Sequence, residues 1–156
     1  MQVLIDELTT QLVAEYDGKT IGGDGADYAS ELGSTGTIHV YIDEWEDIDY
    51  PCIRFDIIQE LFAGSPLECC EGGVMKLRVN FIVWIDTKIH GQRMAWALVE
   101  ELRKWLCGLN ESSTLTPEGY TYVPTIGIPT SDPISDGMVY GISLKTDIVY
   151  LRQPKG

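Results

Sequence analysis

The stretch "MKLRVNFIVWI", residues 75–85, constrains this chain more than any other. Met75, Leu77, Val79, Phe81, Val83 and Ile85 alternate with Lys76, Arg78 and Asn80. That period of two belongs to a β-strand, whose successive side chains point to opposite faces, and it predicts one face lying on a core. Toward the end of the stretch Ile82 and Trp84 make the second face apolar as well. The second face therefore needs a cover there, from the protein's own loops or from a partner.

Two segments have the spacing to form helices over the first face. In residues 3–16, Leu4, Leu8 and Leu12 recur at steps of four, with Ile5, Val13 and Tyr16 beside them and Gly18 marking an end. In residues 89–107, Met94, Leu98, Leu102 and Trp105, with Ala95 and Leu106, form one apolar stripe, and Gly108 follows as a stop. "TIHVYID" predicts a short strand, and Pro51 opens another, "CIRFDII". "YTYVPTIGIPT" reads as a strand broken by its prolines. "GMVYGISLKTDIVYLRQ" alternates again through Met138, Tyr140, Ile142, Leu144, Ile148 and Tyr150. At ~3.3 Å per residue it reaches ~40 Å, which predicts a strand that projects from the body or pairs with a neighbour. This order predicts an α+β fold, a mainly antiparallel sheet with two helices packed on one face.

A chain of 156 residues is enough for one domain with a real core, here residues 1–156. Apolar residues make up 44% and charged residues 22%, as in ordinary globular proteins. The N-terminus lacks the basic region of a secretion signal, and "FIVWI" is far too short to span a membrane. The net charge of −13 disfavours a protein that grips nucleic acid, because such binding depends on Lys and Arg displacing counterions from phosphates. Much of the acid lies in "DEWEDID", where Asp43, Glu44, Glu46, Asp47 and Asp49 form a solvated run inside a glycine-rich and acidic insertion at about 18–50. Two glycine-rich loops, 18–36 and 60–73, are too long for simple connectors, and mobility in the free subunit is the expectation for both. Leu61, Phe62 and Leu67 are the sizeable apolar groups of the second loop, and so candidates for a contact there.

Chemistry is sparse. "GGDGAD", residues 22–27, fits the opening of a calcium-binding nonapeptide. It occurs once, and Asp24 with Asp27 falls short of the six to eight oxygens calcium takes, so no calcium or other cofactor is expected. Phosphate-loop, dinucleotide and nucleophile-elbow motifs are missing. His90 and Cys107 stand at opposite ends of one predicted helix, ~25 Å apart at 1.5 Å per residue, too far to work as a pair. Cys52, Cys69, Cys70 and Cys107 lack metal-ligand spacing, and free thiols are the expected state.

The order of motifs nonetheless resembles a known family. "YPCIRFDI" leads to "FIVWIDT", then to a helix "GQRMAWALVEELRKWL", and the chain closes with "MVYGISLKTDIVYL", which carries Tyr140-Gly141 early. This resembles the tail terminator, or tail-completion, proteins of long-tailed bacteriophages, over most of residues 1–16 and 50–152. The resemblance implies a non-enzymatic homo-oligomeric ring, usually a hexamer. It implies a ring that caps the finished tail tube and joins it to the head, with tube and head-completion proteins as partners. It places the protein in the virion tail or neck, assembled in the host bacterial cytoplasm, with DNA passing but not specifically bound. On that reading Leu61, Phe62, Leu67, Ile82 and Trp84 are candidates for a subunit or tube interface. The acids Asp43, Glu44, Glu46, Asp47 and Asp49 are candidates for the bore, where like charge lowers adhesion of DNA. Competing expectations are another neck or tail component, a small metal-dependent enzyme built from Asp24, Asp27, His39 and the 43–49 acids, and a ligand-binding module.

Overall fold

The structure is a computed structural model that describes residues 2–43, 47–62, 73–112, 125–126 and 130–152. Its elements run α1 (Gln2–Tyr16), β1 (Thr20–Ile21), β2 (Gly36–Thr37), β3 (His39–Tyr41), β4 (Cys52–Phe62) and β5 (Gly73–Asp86). They continue with α2 (Gln92–Ser112), β6 (Thr125–Ile126), β7 (Thr130–Asp136) and β8 (Val139–Arg152). The main sheet has the order β3-β4-β5-β8-β6, with β7 also paired to β8, and β1 and β2 form a separate ribbon. All pairings in the main sheet are antiparallel except β3 with β4. The fold is α+β, as the order of elements predicts.

β5 occupies the middle of the sheet, and its alternation sorts the molecule into two sides. Met75, Leu77, Val79, Phe81, Val83 and Ile85 are all buried, and their partners across β8 include Tyr150, Ile148, Leu144, Ile142 and Tyr140. On the same side lie Leu4, Leu8 and Leu12 of α1 and Met94, Leu98, Leu102 and Leu106 of α2, all fully buried in one cluster. Each such leucine taken out of water contributes about 1.5–3 kcal/mol before its ordering cost is counted. The helices are tied to each other at Tyr16, whose hydroxyl donates to the Glu101 carbonyl at 2.8 Å and whose ring meets Trp105 edge-on at 6.0 Å. Val13, expected beside the α1 stripe, lies instead at the surface.

Several boundaries differ from those read in the sequence. α2 starts at Gln92 because residues 87–90 form a turn, in which the Asp86 carboxylate accepts the Lys88 N–H and the Asp86 carbonyl accepts those of Ile89 and His90. It then passes through Gly108, since Leu109 one residue on is buried and its packing outweighs the weak helix propensity of glycine. The 36–43 strand is split: Gly36–Thr37 pairs with β1, then His39–Tyr41 crosses to run parallel to β4. β4 and β5 extend into the segment expected to be a loop from 60, so Leu61 and Phe62 stand in register with Lys76 and Met75. Met138 belongs to the β7–β8 turn and not to the strand face. Gly137 takes the positive φ of 59° that suits the first position of such a two-residue turn. β8 does not project alone: it pairs with β5 over its whole length and with β6 and β7 on its other side.

The glycine-rich segment is the larger correction. Ile21 and Ile38 are fully buried, and Tyr28, Ala29 and Leu32 pack against the core. Gly22 N–H donates to the Tyr28 carbonyl, Gly23 N–H to Leu32, and Ile38 N–H to Lys19. Residues 19–38 are thus fastened to the body through Ile21, Tyr28, Leu32 and Ile38, although their composition reads as a long glycine-rich loop.

Candidate functional site

The residues expected at an interface fall on different parts of the sheet. Ile82 sits on the side away from the helices, between Arg54 of β4 and Ser143 of β8, and only 9% of its surface is exposed. Trp84 is half-buried beside it, with its indole lying over Gly141. A methyl group on Gly141 would come within 2.5 Å of that ring, so glycine is what lets the indole lie flat on β8. The cover predicted for this face is therefore supplied in part by the chain itself. Further along the same side Asp147 accepts Arg78 at 2.9 Å and Lys76 at 3.2 Å, and the Arg78 hydrogen bond, first among its causes, holds the Asp147 carboxyl below the usual carboxylate range. The side chains of Leu61 and Phe62, and the whole of Leu67, lie outside the described residues.

An edge of the sheet stands open where the sequence reads as core. β3 pairs with β4 only from Cys52 to Arg54, so beyond Arg54 no described strand lies on that side of β4. A register shift between Ile57 and Gln59 adds a residue to β4 relative to β5. Ile57 and Ile58 end up 46% and 47% exposed, adjacent to each other on this edge. The same bulge reverses the alternation of β4, so Glu60 comes to the core side and accepts the Tyr150 hydroxyl at 2.7 Å.

Between this edge and α1 lies a cavity of about 450 Å³, lined by Ile5, Asp6, Thr9, Ile42, Asp43, Phe55, Asp56 and Ile57. Its exposed lining is mostly polar, since Ile5 and Phe55 are almost wholly buried, and it carries three carboxylates, of which Asp56 holds Arg54 at 3.1 Å. Of the acids expected to form a run, Asp43 borders this cavity, while Asp47 and Asp49 are exposed on the loop that follows. The Asp49 backbone N–H donates to the Tyr41 hydroxyl. Glu44 and Glu46 lie outside the described residues.

The groups considered for chemistry have structural employments. The Asp27 carboxylate accepts both the backbone N–H and the hydroxyl of Thr20, at 2.9 and 3.0 Å, and the Thr20 hydroxyl accepts the Asp27 N–H. The Thr20 backbone hydrogen bond, the largest cause, lowers the Asp27 carboxyl below its ordinary value. His39 stacks on Tyr41, and His90 is buried next to Gly36. Burial pushes the Cys52 thiol up to about 12, which makes it a poor nucleophile, and Cys107 is exposed at the far end of α2. Among the described residues no three His, Cys, Asp or Glu side chains converge as metal ligands. Among them, too, no helix is long and apolar enough to cross a membrane.

The open edge and its cavity were missed in the sequence, because Ile57 and Ile58 carry the apolar signal of a core strand. The only available sign was the pair "II" itself, which breaks the alternation of "CIRFDIIQ". No family model and no curated protein matches this chain.

Proposed function

We propose that this chain is a non-enzymatic subunit of a closed ring that caps the tail tube of a long-tailed bacteriophage and joins it to the head. The observation that carries the reading is the edge of β4 beyond Arg54, where two adjacent isoleucines stand nearly half exposed and no described strand pairs with the backbone. An edge of this kind invites pairing with another chain, and soluble monomers blunt it with charge, proline or a covering element. The bulge blunts it here only in part. A subunit that spends its working life in an assembly can keep such a surface. The four segments that resemble the tail terminator family also support the reading: they fall in β4, β5, α2 and β8, the frame of the sheet and its longer helix.

Further copies of the chain, a tail tube protein and a head-completion protein are the partners on this reading, and the virion neck is its location. The acidic balance suits a bore through which DNA passes without adhering. Native mass spectrometry over a range of concentrations, together with negative-stain images of tails assembled in the presence of the protein, tests the proposal. A closed ring at the end of the tube, six-membered if the resemblance extends to stoichiometry, is the expected result. A strict monomer that never associates with tails refutes it.

A further inference from the structure

The turn between β5 and α2 holds an isoleucine out in water. Five hydrogen bonds pin residues 87–90: the Thr87 N–H and hydroxyl donate to the Met138 carbonyl at 2.8 and 2.7 Å, and the Lys88, Ile89 and His90 N–H groups donate to Asp86. His90 is buried beneath the turn, and Ile89 is left 67% exposed, the most exposed large apolar side chain among the described residues. Lys88 and Arg93 are exposed on either side of it, and neither makes an ion pair among the described residues. This is a rigid apolar knob with a basic collar. Because it is already ordered, little conformational freedom is lost when it binds.

The cavity beside the β4 edge has the opposite character. Its exposed lining is mainly polar, with Asp6, Asp43 and Asp56 around it, and its apolar surface comes chiefly from the half-exposed Ile57 and the partly buried Ile42. A two-fold contact between two such grooves would set those carboxylates against one another, in a chain already at −13. Knob and groove carry opposite charge, and Ile57 offers Ile89 an apolar surface. Knob and groove are different surfaces of one subunit, so joining them is a head-to-tail contact, which closes into a ring when the rotation between neighbours closes.

We propose that the Ile89 turn of one copy of this chain packs on Ile57 and Ile42 in the groove of the next, with Lys88 and Arg93 facing Asp6 and Asp43. The contact rests on the ring reading above and names the surfaces that would form it. It also accounts for the half exposure of Ile57, which lines the groove.

Charge exchange tests it. One full-length variant carries Lys88→Glu with Arg93→Glu, a second carries Asp6→Lys with Asp43→Lys, and circular dichroism confirms that each folds. Native mass spectrometry and tail binding are then compared with the natural sequence. Each variant alone is expected to associate roughly tenfold more weakly or worse, and an equal mixture of the two to regain assembly as alternating copies, since every contact is again between opposite charges. Ile89→Asp, at a side chain with little contact beneath it, is expected to stay folded and to block association. If the natural sequence forms rings and these variants form them equally well, or the mixture fails to recover, the ring reading survives and this contact is wrong. If the natural sequence never assembles and never binds tails, the ring reading falls and the contact with it.

Discussion

Residues 19–38 and residues 55–62 would be sorted oppositely by composition and by structure. The first segment is dense in glycine, serine and threonine, and the second reads "FDIIQELF". Yet Ile21 and Ile38 of the first are fully buried, while Ile57 and Ile58 of the second stand nearly half in water. Neighbourhood decides the matter. The glycine-rich segment is carried across the end of the core between α1 and β3, where the Tyr28 ring meets Tyr16 at 5.2 Å and its hydroxyl donates to the Glu15 carbonyl at 2.9 Å. β4 loses its outer neighbour after Arg54 and gains no other among the described residues. A few anchoring side chains tie down a polar segment, whereas a run of isoleucine is exposed wherever the sheet supplies nothing to lay over it.

Truncation separates the two most sharply. Ile21→Ala is expected to destabilise the protein by about 2–5 kcal/mol, the range for emptying a fully buried aliphatic site. Chemical denaturation measures it, and a loss under roughly 0.5 kcal/mol, the size usual at surface positions, would mean that residues 19–38 are not anchored as described. Gly22→Ala probes the same segment through its backbone. Gly22 has φ +78°, and a methyl group there would run into the Ser34 carbonyl oxygen. The left-handed backbone alone is expected to cost about 1–3 kcal/mol, and loss of amide protection at Gly23 and Tyr28 in hydrogen exchange would show that the turn has shifted. The smallest effect belongs to the edge. Ile57→Ala is expected to change unfolding free energy by no more than about 0.5 kcal/mol while weakening self-association in sedimentation. A large destabilisation with unchanged association would reverse the comparison, making the edge part of the core.

The elements legible in the sequence were those whose period records burial on one side. β5 is one, with every alternate residue from Met75 to Ile85 buried, and the stripes of α1 and α2 are others. β7 is not legible, because "TSDPISD" has neither alternation nor β-branched density, and Pro133 is tolerated where, among the described residues, the strand pairs only with β8. The parallel docking of β3 is set by a crossing between sheets over three residues, too few to leave a pattern. For the candidate site, Asp43 borders the groove, while the sequence marks it only as one member of an acidic run. Ile57, Phe55 and Ile5 drew no notice as a surface, since a residue that lines a groove and one that fills a core look alike in a string of letters. Ile82 and Trp84 show the converse, an apolar face on which Ile82 is nearly buried and the Trp84 indole lies against Gly141.

That contact of Trp84 with Gly141 also bears on how the sheet finds its alignment. β5 and β8 pair residue for residue from Gly73 with Arg152 to Asp86 with Val139, without a bulge. So long and regular a ladder could slip by two residues and keep every side chain on its proper side. Slipped one way, the indole would meet Ser143 and Arg78 would face Val149. Slipped the other way, the indole would meet Val139 and Arg78 would face Lys145. Only in the native alignment does the large ring find the one position on β8 without a side chain while Arg78 finds Asp147. A notch and an ion pair on the same face thus act as a lock and its check, rejecting misaligned pairings that the hydrophobic pattern by itself would accept.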